Sequence, residues 1–421
     1  MRNIVKMLFS RARLGQVALA AVAAGTLGMG VSTESQAVPA FARQTSMACQ
    51  ACHFPSFPSL NAFGRSFKAG GFTLMGAQEK VEDEGLSMPS TLNMSLITKF
   101  RYQKTNGNTA AGTDKGELQL PDEAAFLVGG RVSENVGFLL EADLISAASH
   151  FLSFKVPVLA HKGDKTDILV VPFMTDGLGA GYGMELLNTS ALRSQKMGED
   201  RSKMYAQQYL GLGSGAAEGV TFAAVSPNGF VNATLFAPLH GNASGVTLAK
   251  YLRAAWTPTL GKWDAALGFQ HYSGKVDAAE VDGATLYAGD VKGWAIDGQL
   301  QGDLAGKPLG LYAAYGKVPS GSLINGFGMS AAATTADKKA WNLTGIWEVV
   351  PNKVNLILGY MSADRGTATA NKENFLTVGA GYKFSQNVRM ELNHAMSSGS
   401  YYDADPTRAD ARTTVLVFAG F

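Results

Sequence analysis

Charge is scarce in this chain: only 17% of its 421 residues are Asp, Glu, Lys or Arg, and it has just 2 Cys. Two cysteines cannot staple a disulfide scaffold, and so little charge excludes a disordered chain or a coiled coil. A basic surplus is missing too. The formal charge is +2, but Arg2, Lys6, Arg11, Arg13 and Glu34 fall in the first 37 residues, leaving 32 basic against 33 acidic side chains after them. A nucleic-acid binder carries a basic stripe or patch, so no nucleic-acid partner is expected. Beyond residue 37 no segment sustains the ~18 uncharged apolar residues of a membrane helix, which excludes a helical inner-membrane protein. What the chain does have is glycine, 49 residues of it, and 46% hydrophobic side chains. That mixture suits a large β protein whose strands face two different media.

Residues 1–37 read as a secretory signal peptide. Four basic residues precede the apolar stretch Val17 to Val31, and Ser35-Gln36-Ala37 supplies small residues at the −3 and −1 positions of a cleavage site. Cleavage is expected after Ala37, with Ala40 the next choice. An uncleaved anchor would need about 20 strongly apolar residues, and this Ala/Gly-rich stretch falls short.

Both cysteines belong to Cys49-Gln50-Ala51-Cys52-His53, the C-x-x-C-H pattern of covalent c-type haem attachment. Two thiols at this spacing each add to one haem vinyl group, and the next residue offers its imidazole to the iron as proximal ligand. The sites expected are thus Cys49 and Cys52 as thioether anchors and His53 as iron ligand, for one covalent haem c. A disulfide or redox C-x-x-C pair is the competing reading; His53 and the exported context favour haem.

Around the motif the residues describe a very small haem-wrapping unit, 38–90. Pro58 is placed to open a helix that carries Leu60, Phe63 and Phe67 on one face and stops at Gly70-Gly71. With Phe54 and Phe57 upstream, these side chains cover one face of a porphyrin or pack on a neighbouring domain. Arg65 and Lys68 pair with haem propionates or are solvated surface charges. The distal iron ligand stays open between Met75, Met88, a vacant position and a His from the next domain; Met opposite His would raise the reduction potential.

From residue 91 to 421 the hydrophobic period is two. Leu376, Val378, Ala380, Tyr382 and Phe384 alternate with Thr377, Gly379, Gly381, Lys383 and Ser385, and Val388, Met390 and Leu392 with Arg389, Glu391 and Asn393. Alternation alone does not say which face meets lipid. Connection lengths do: short ones at 133–135, 226–228, 351–353 and 385–387 alternate with long ones near 273–290, 318–339, 362–371 and 397–412, as periplasmic turns and external loops do in outer-membrane barrels. The last segment, Thr413 to Phe421, alternates and ends on an aromatic residue. The fold expected is all-β, an outer-membrane antiparallel β-barrel of 16, or possibly 18, strands, its lumen plugged by the small N-terminal α-helical haem unit. Thr175 to Lys203 is either two short strands or a helical insert. His150, His161, His240, His271 and His394 are scattered, without paired ligand spacing. Glu141 and Asp143 are expected to face inward, to attract a divalent cation or to serve as ordinary lumen charges.

Pro39-Ala40-Phe41-Ala42-Arg43-Gln44-Thr45, then Cys49 to His53, then Phe57-Pro58-Ser59-Leu60-Asn61-Ala62-Phe63-Gly64-Arg65-Ser66-Phe67-Lys68 resemble the fused monohaem cytochrome-porins, outer-membrane iron oxidases of iron-oxidising bacteria. The resemblance is specific over residues 39–72 and architectural beyond. It implies a 16-stranded barrel enclosing the cytochrome, Fe(II) oxidised near the outer surface, and the electron handed to a periplasmic cytochrome or copper protein. Oxidising iron outside keeps insoluble Fe(III) out of the cell. The alternatives are an electron conduit for another donor, or a porin whose haem-bearing plug gates or senses. Partners expected are outer-membrane lipid, extracellular Fe(II), the periplasmic carrier and, as an open option, further copies of the chain in a homo-oligomer.

Overall fold

The computed structural model describes residues 39–421 apart from 85, 108–112, 146–150, 190–200, 239–242, 245–246, 278–279, 282–287 and 325–333. The stretch expected to be a signal peptide, residues 1–37, and His150 and His240 lie outside the described residues.

Sixteen antiparallel strands follow in chain order: β1 (Met94–Thr105), β2 (Glu117–Ser133), β3 (Val136–Asp143), β4 (Phe151–Lys155 with Val158–His161), β5 (Asp167–Thr175), β6 (Ala217–Ser226), β7 (Gly229–Ala237) and β8 (Ala249–Trp256 with Thr259–Leu260). They continue as β9 (Trp263–Ser273), β10 (Gly293–Leu304), β11 (Lys307–Val318), β12 (Lys338–Val350), β13 (Val354–Asp364), β14 (Lys372–Lys383), β15 (Val388–Ser398) and β16 (Ala411–Gly420). Pro157 and Pro258 interrupt β4 and β8, because proline brings no N–H to the ladder. Each strand pairs with its chain neighbour, and β16 closes on β1 in a register running from Arg412 opposite Thr105 to Gly420 opposite Ile97. The barrel therefore has sixteen strands, the smaller of the two expected counts.

Period two becomes two environments. On β12 and β13 the outward Leu343 and Leu358 are 54% and 57% exposed, whereas the inward Asn342 and Thr344 are 3% and 0%. A water-soluble sandwich would show the reverse; an apolar exterior around a polar interior suits a barrel in lipid, where only closure satisfies every strand's backbone. The short turns share one end with the start of β1 and the end of β16, and the long connections share the other. By the asymmetry of such barrels the short-turn end is periplasmic.

The lumen is occupied from both ends. From the periplasmic side enters the segment 39–93, with helices α1 (Pro39–Thr45), α2 (Cys49–Cys52) and α3 (Ala62–Ala69) and a hairpin of Lys80–Asp83 with Leu86–Pro89. Its wall contacts lie on widely separated strands: Arg131 N–H of β2 donates to Gln44 Oε1 (3.1 Å), Arg65 pairs with Asp264 of β9 (2.7 Å), and Lys383 of β14 donates to the Pro55 carbonyl (2.9 Å). Contacts around the ring place the segment inside it. The second occupant connects β5 to β6. Among the described residues of Thr175 to Lys203 there is no strand pair: this connection holds a 3-10 turn at Ala180–Tyr182 and short helices α4 (Arg201–Met204) and α5 (Ala206–Leu210), in place of the two-strand alternative. Such short helices stand only on tertiary contact. Here Asn232 of β7 donates to the Met184 carbonyl (2.7 Å), Tyr272 of β9 to that of Leu212 (2.6 Å), and Ala206 N–H to Asn342 of β12 (2.9 Å).

Candidate functional site

The C-x-x-C-H residues form one helical turn at the periplasmic mouth. Cys49 and Cys52 begin and end α2, His53 caps it by donating its N–H to the Cys49 carbonyl (3.0 Å), and neither sulfur is in a disulfide. Cys49 is buried against the β14–β15 turn, where its N–H donates to Gln386 Oε1 (3.1 Å). Gln50 Nε2 hydrogen-bonds Asn352 Oδ1 in the neighbouring β12–β13 turn. His53 Nδ1 lies 3.2 Å from the Ser59 carbonyl, so Nδ1 carries the proton and Nε2 is the nitrogen with a lone pair. Burial lowers the imidazole to about 4, which keeps it in the neutral form that ligates metals. Its ring meets Phe57 edge-on at 5.1 Å, and Phe57 stacks on Phe418 of β16 at 5.2 Å.

Helix α3 holds this turn in place. It begins after Asn61, not at Pro58, because an Asn side chain satisfies an amide that proline's ring does not: Asn61 Oδ1 accepts the Gly64 N–H (2.8 Å). The same amide donates through Nδ2 to the carbonyls of Ala51 (2.9 Å) and Gln50 (3.3 Å), and the Asn61 N–H donates to the Cys52 carbonyl (3.0 Å). One residue thus caps α3 and ties down the end of α2. Asn before a helix-forming run is a capping signal in sequence, but the apolar spacing drew the start toward Pro58. Asn61→Ala is expected to cost about 1 kcal/mol, read as roughly fivefold faster amide exchange in residues 62–69.

The donor set fits a c-type haem: two thiols one turn apart, an imidazole whose Nδ1 is held by a backbone carbonyl, and apolar surface beside them. Phe63 remains 39% exposed on a helix whose Gly64, Arg65, Phe67 and Ala69 are all buried. The five apolar side chains do not share one face, however. Phe67 turns away to pack with Phe41 (5.1 Å) and Phe72 (5.7 Å), so it serves the unit's own core.

Other sequence-flagged residues fall elsewhere. Arg65 is buried in its ion pair with Asp264, an anchor to the barrel wall. Lys68 is drawn down to about 8 by burial, with Glu185 of the β5–β6 connection opposing that shift. Neither is a solvated surface charge. Met75 is half-buried in a turn held to α1, where Gln44 donates to the Leu74 carbonyl (2.8 Å) and accepts at its own carbonyl from Gly76 N–H (2.8 Å). Met88 is 40% exposed on the hairpin opposite Val81. Glu141 and Asp143 share the inward face of β3 with Gly137, where a side chain would strike the Gly71 carbonyl of the inner segment. His271 and His394 sit on outward faces, with Phe269 and Leu392. His161, at the end of β4, is exposed.

No family model matches the chain, and no curated protein matches it. Solved structures do. A loop-deletion mutant of OmpT, an outer membrane protein of Vibrio cholerae, aligns with a TM-score of 0.50 at 12% identity over 79% of this chain and 99% of that one. OmpT itself aligns with a TM-score of 0.46 at 11% identity over 82% and 100%, and a mutant of the Rh. blastica porin with 0.46 at 11% over 79% and 100%. The fold is that of an outer-membrane porin-like β-barrel. Its closed ring of sixteen strands and its apolar exterior place it in the outer membrane.

Proposed function

We propose that this barrel is an outer-membrane electron-transfer protein, with one haem c bound through Cys49 and Cys52, ligated by His53, accepting electrons from Fe(II) and giving them to a soluble periplasmic cytochrome or copper protein. The observation that carries this reading is the C-x-x-C-H turn, backed by Gln386 at the periplasmic mouth, with His53 Nδ1 held by Ser59. A haem held by Cys49, Cys52 and His53 would supply one-electron redox chemistry between Fe(II) and the carrier. The protein's part is to orient and shelter. Asn61 and Gly64 lock α2 to α3, Ser59 fixes the imidazole, and Phe57 and Phe63 supply apolar surface.

Position refines the route. The 12 residues of β14 rise about 3.3 Å each at a tilt of about 40°, so the barrel wall is about 28 Å tall there. Residues that would hold a haem beside Gln386 lie at the periplasmic mouth, on the side of the carrier. Met75 is our candidate for the distal ligand.

Anaerobic addition of Fe(II) to the oxidised, detergent-purified protein tests the proposal. The reduced haem band is expected to appear within seconds. A colourless protein, or a band that stays oxidised, overturns it. The Met75→Ala and Met88→Ala variants locate the distal ligand, since the weak red absorption of a sulfur-ligated ferric haem disappears in whichever variant removes that sulfur.

A further inference from the structure

We infer that the β14–β15 hairpin raises the reduction potential of the haem, through two inward cations, Lys383 and Arg389, that grip the chain just after His53. The inference rests on the haem proposed above and assigns the barrel wall a part in setting its chemistry. Lys383, at the end of β14, and Arg389, near the start of β15, stand opposite each other in the ladder, with only 5% and 9% of their side chains exposed. Like charges directly opposite destabilise a sheet, and partners on the inner segment offset that cost. Lys383 Nζ donates to the Pro55 carbonyl (2.9 Å) and Arg389 Nη1 to that of Phe57 (2.6 Å), while Gln386, in the turn between them, accepts the Cys49 N–H (3.1 Å). One hairpin thus holds the haem-attachment turn and the chain after it at three points.

Ring contacts link the same cations to the imidazole. His53 meets Phe57 at 5.1 Å, Phe57 stacks on Phe418 at 5.2 Å, and the Arg389 guanidinium lies over the Phe418 ring at 5.4 Å. Each cation also has a buried glutamate. Glu348 of β12 accepts from Lys383, and Glu391 Oε2 lies 3.9 Å from Arg389 Nη2. The wall therefore presents two ion pairs whose positive members touch the chain that follows the iron ligand. Oxidation of a haem iron adds one positive charge, and in a site with little water a fixed cation nearby opposes that addition, while a carboxylate favours it. Lys383 and Arg389 then favour the ferrous form, and Glu348 and Glu391 hold that effect in check. Fe(II) gives up its electron only to an acceptor of sufficiently high potential, so a raised potential serves the proposed reaction.

The test is an anaerobic spectroelectrochemical titration of the full-length, detergent-purified protein, which reads the midpoint potential without any turnover. Arg389→Met is expected to shift the equilibrium with a fixed mediator about tenfold toward the ferric form, about 59 mV for one electron, and Lys383→Met to shift it the same way. Glu391→Gln, nearly isosteric, removes a carboxylate and is expected to shift it toward the ferrous form. Arg389→Lys keeps the charge and is expected to stay near wild type. Opposite signs separate a field from a loosened loop, which would move Arg389→Met and Glu391→Gln in the same direction. Unchanged positions of the reduced visible bands show that the axial ligands are intact, and heat-shifted mobility on gels shows that each variant is a folded barrel. Should Arg389→Met not fold, Glu391→Gln and Lys383→Met carry the comparison. A colourless wild type overturns the haem reading and the tuning with it. A pigmented wild type whose folded charge variants keep its potential, or all move one way, overturns the tuning alone.

Discussion

A chain carrying Cys49→Ala and Cys52→Ala is expected to lose all covalently held pigment, so that haem staining of a denaturing gel falls to background while the barrel still shows heat-shifted mobility. The thiols are the whole covalent link, whereas the segment that bears them is held in the lumen by other groups. Arg65 to Asp264, Lys383 to the Pro55 carbonyl and Arg389 to the Phe57 carbonyl (2.6 Å) do not involve sulfur. Loss of haem and loss of fold are therefore separable. Either single replacement leaves one thioether, and staining is expected to weaken without vanishing. His53→Gly is expected to keep both thioethers and lose the ligand field. Because Nδ1 serves Ser59 and the proposal gives Nε2 to the iron, free imidazole in the vacated space should restore the spectrum. Full staining of the double variant, or none in wild type, would sink the haem assignment.

What was legible in the sequence was what is local. The helical turn of Cys49, Cys52 and His53 was legible because its residues lie within five positions of the chain. Strands were legible for the same reason: Leu376 to Phe384 alternate with Thr377 to Ser385 whatever surrounds them, and turn lengths told the two ends apart. The polar face followed from the connection lengths and is seen directly in the outward Leu343 and Leu358 against the inward Asn342 and Thr344. The connection between β5 and β6 was ambiguous because α4 and α5 are four and five residues long and exist by contact with distant strands, as in Ala206 N–H to Asn342, 136 residues away. Arg65 was open between a propionate partner and a surface charge because the partner it has, Asp264, lies 199 residues on.

Gly64→Ala is expected to be the most damaging single-methyl change in the inner segment. The added Cβ would sit 2.2 Å from the Cys52 carbonyl oxygen and 3.0 Å from its carbon, and backbone cannot swing aside as a side-chain tip does. Relief requires α3 to move off α2. That movement stretches the Asn61 N–H to Cys52 bond (3.0 Å) and the Asn61 Nδ2 to Ala51 bond (2.9 Å), the two ties that seat the haem-attachment turn. Overpacking of this kind costs about 1–3 kcal/mol, which predicts amide exchange in residues 49–69 roughly five- to 150-fold faster than in wild type. Gly70→Ala, at the C-cap of the same helix, is the control. Its Cβ would meet nothing nearer than 3.5 Å, and Gly70 has a φ of −75° that alanine adopts without strain. There the loss of glycine's unfolded-state freedom is expected to leave exchange unchanged or slightly slower. Equal exchange in the two variants would show that contact between α2 and α3 does not hold the motif, and the positioning role given to Asn61 would fall with it.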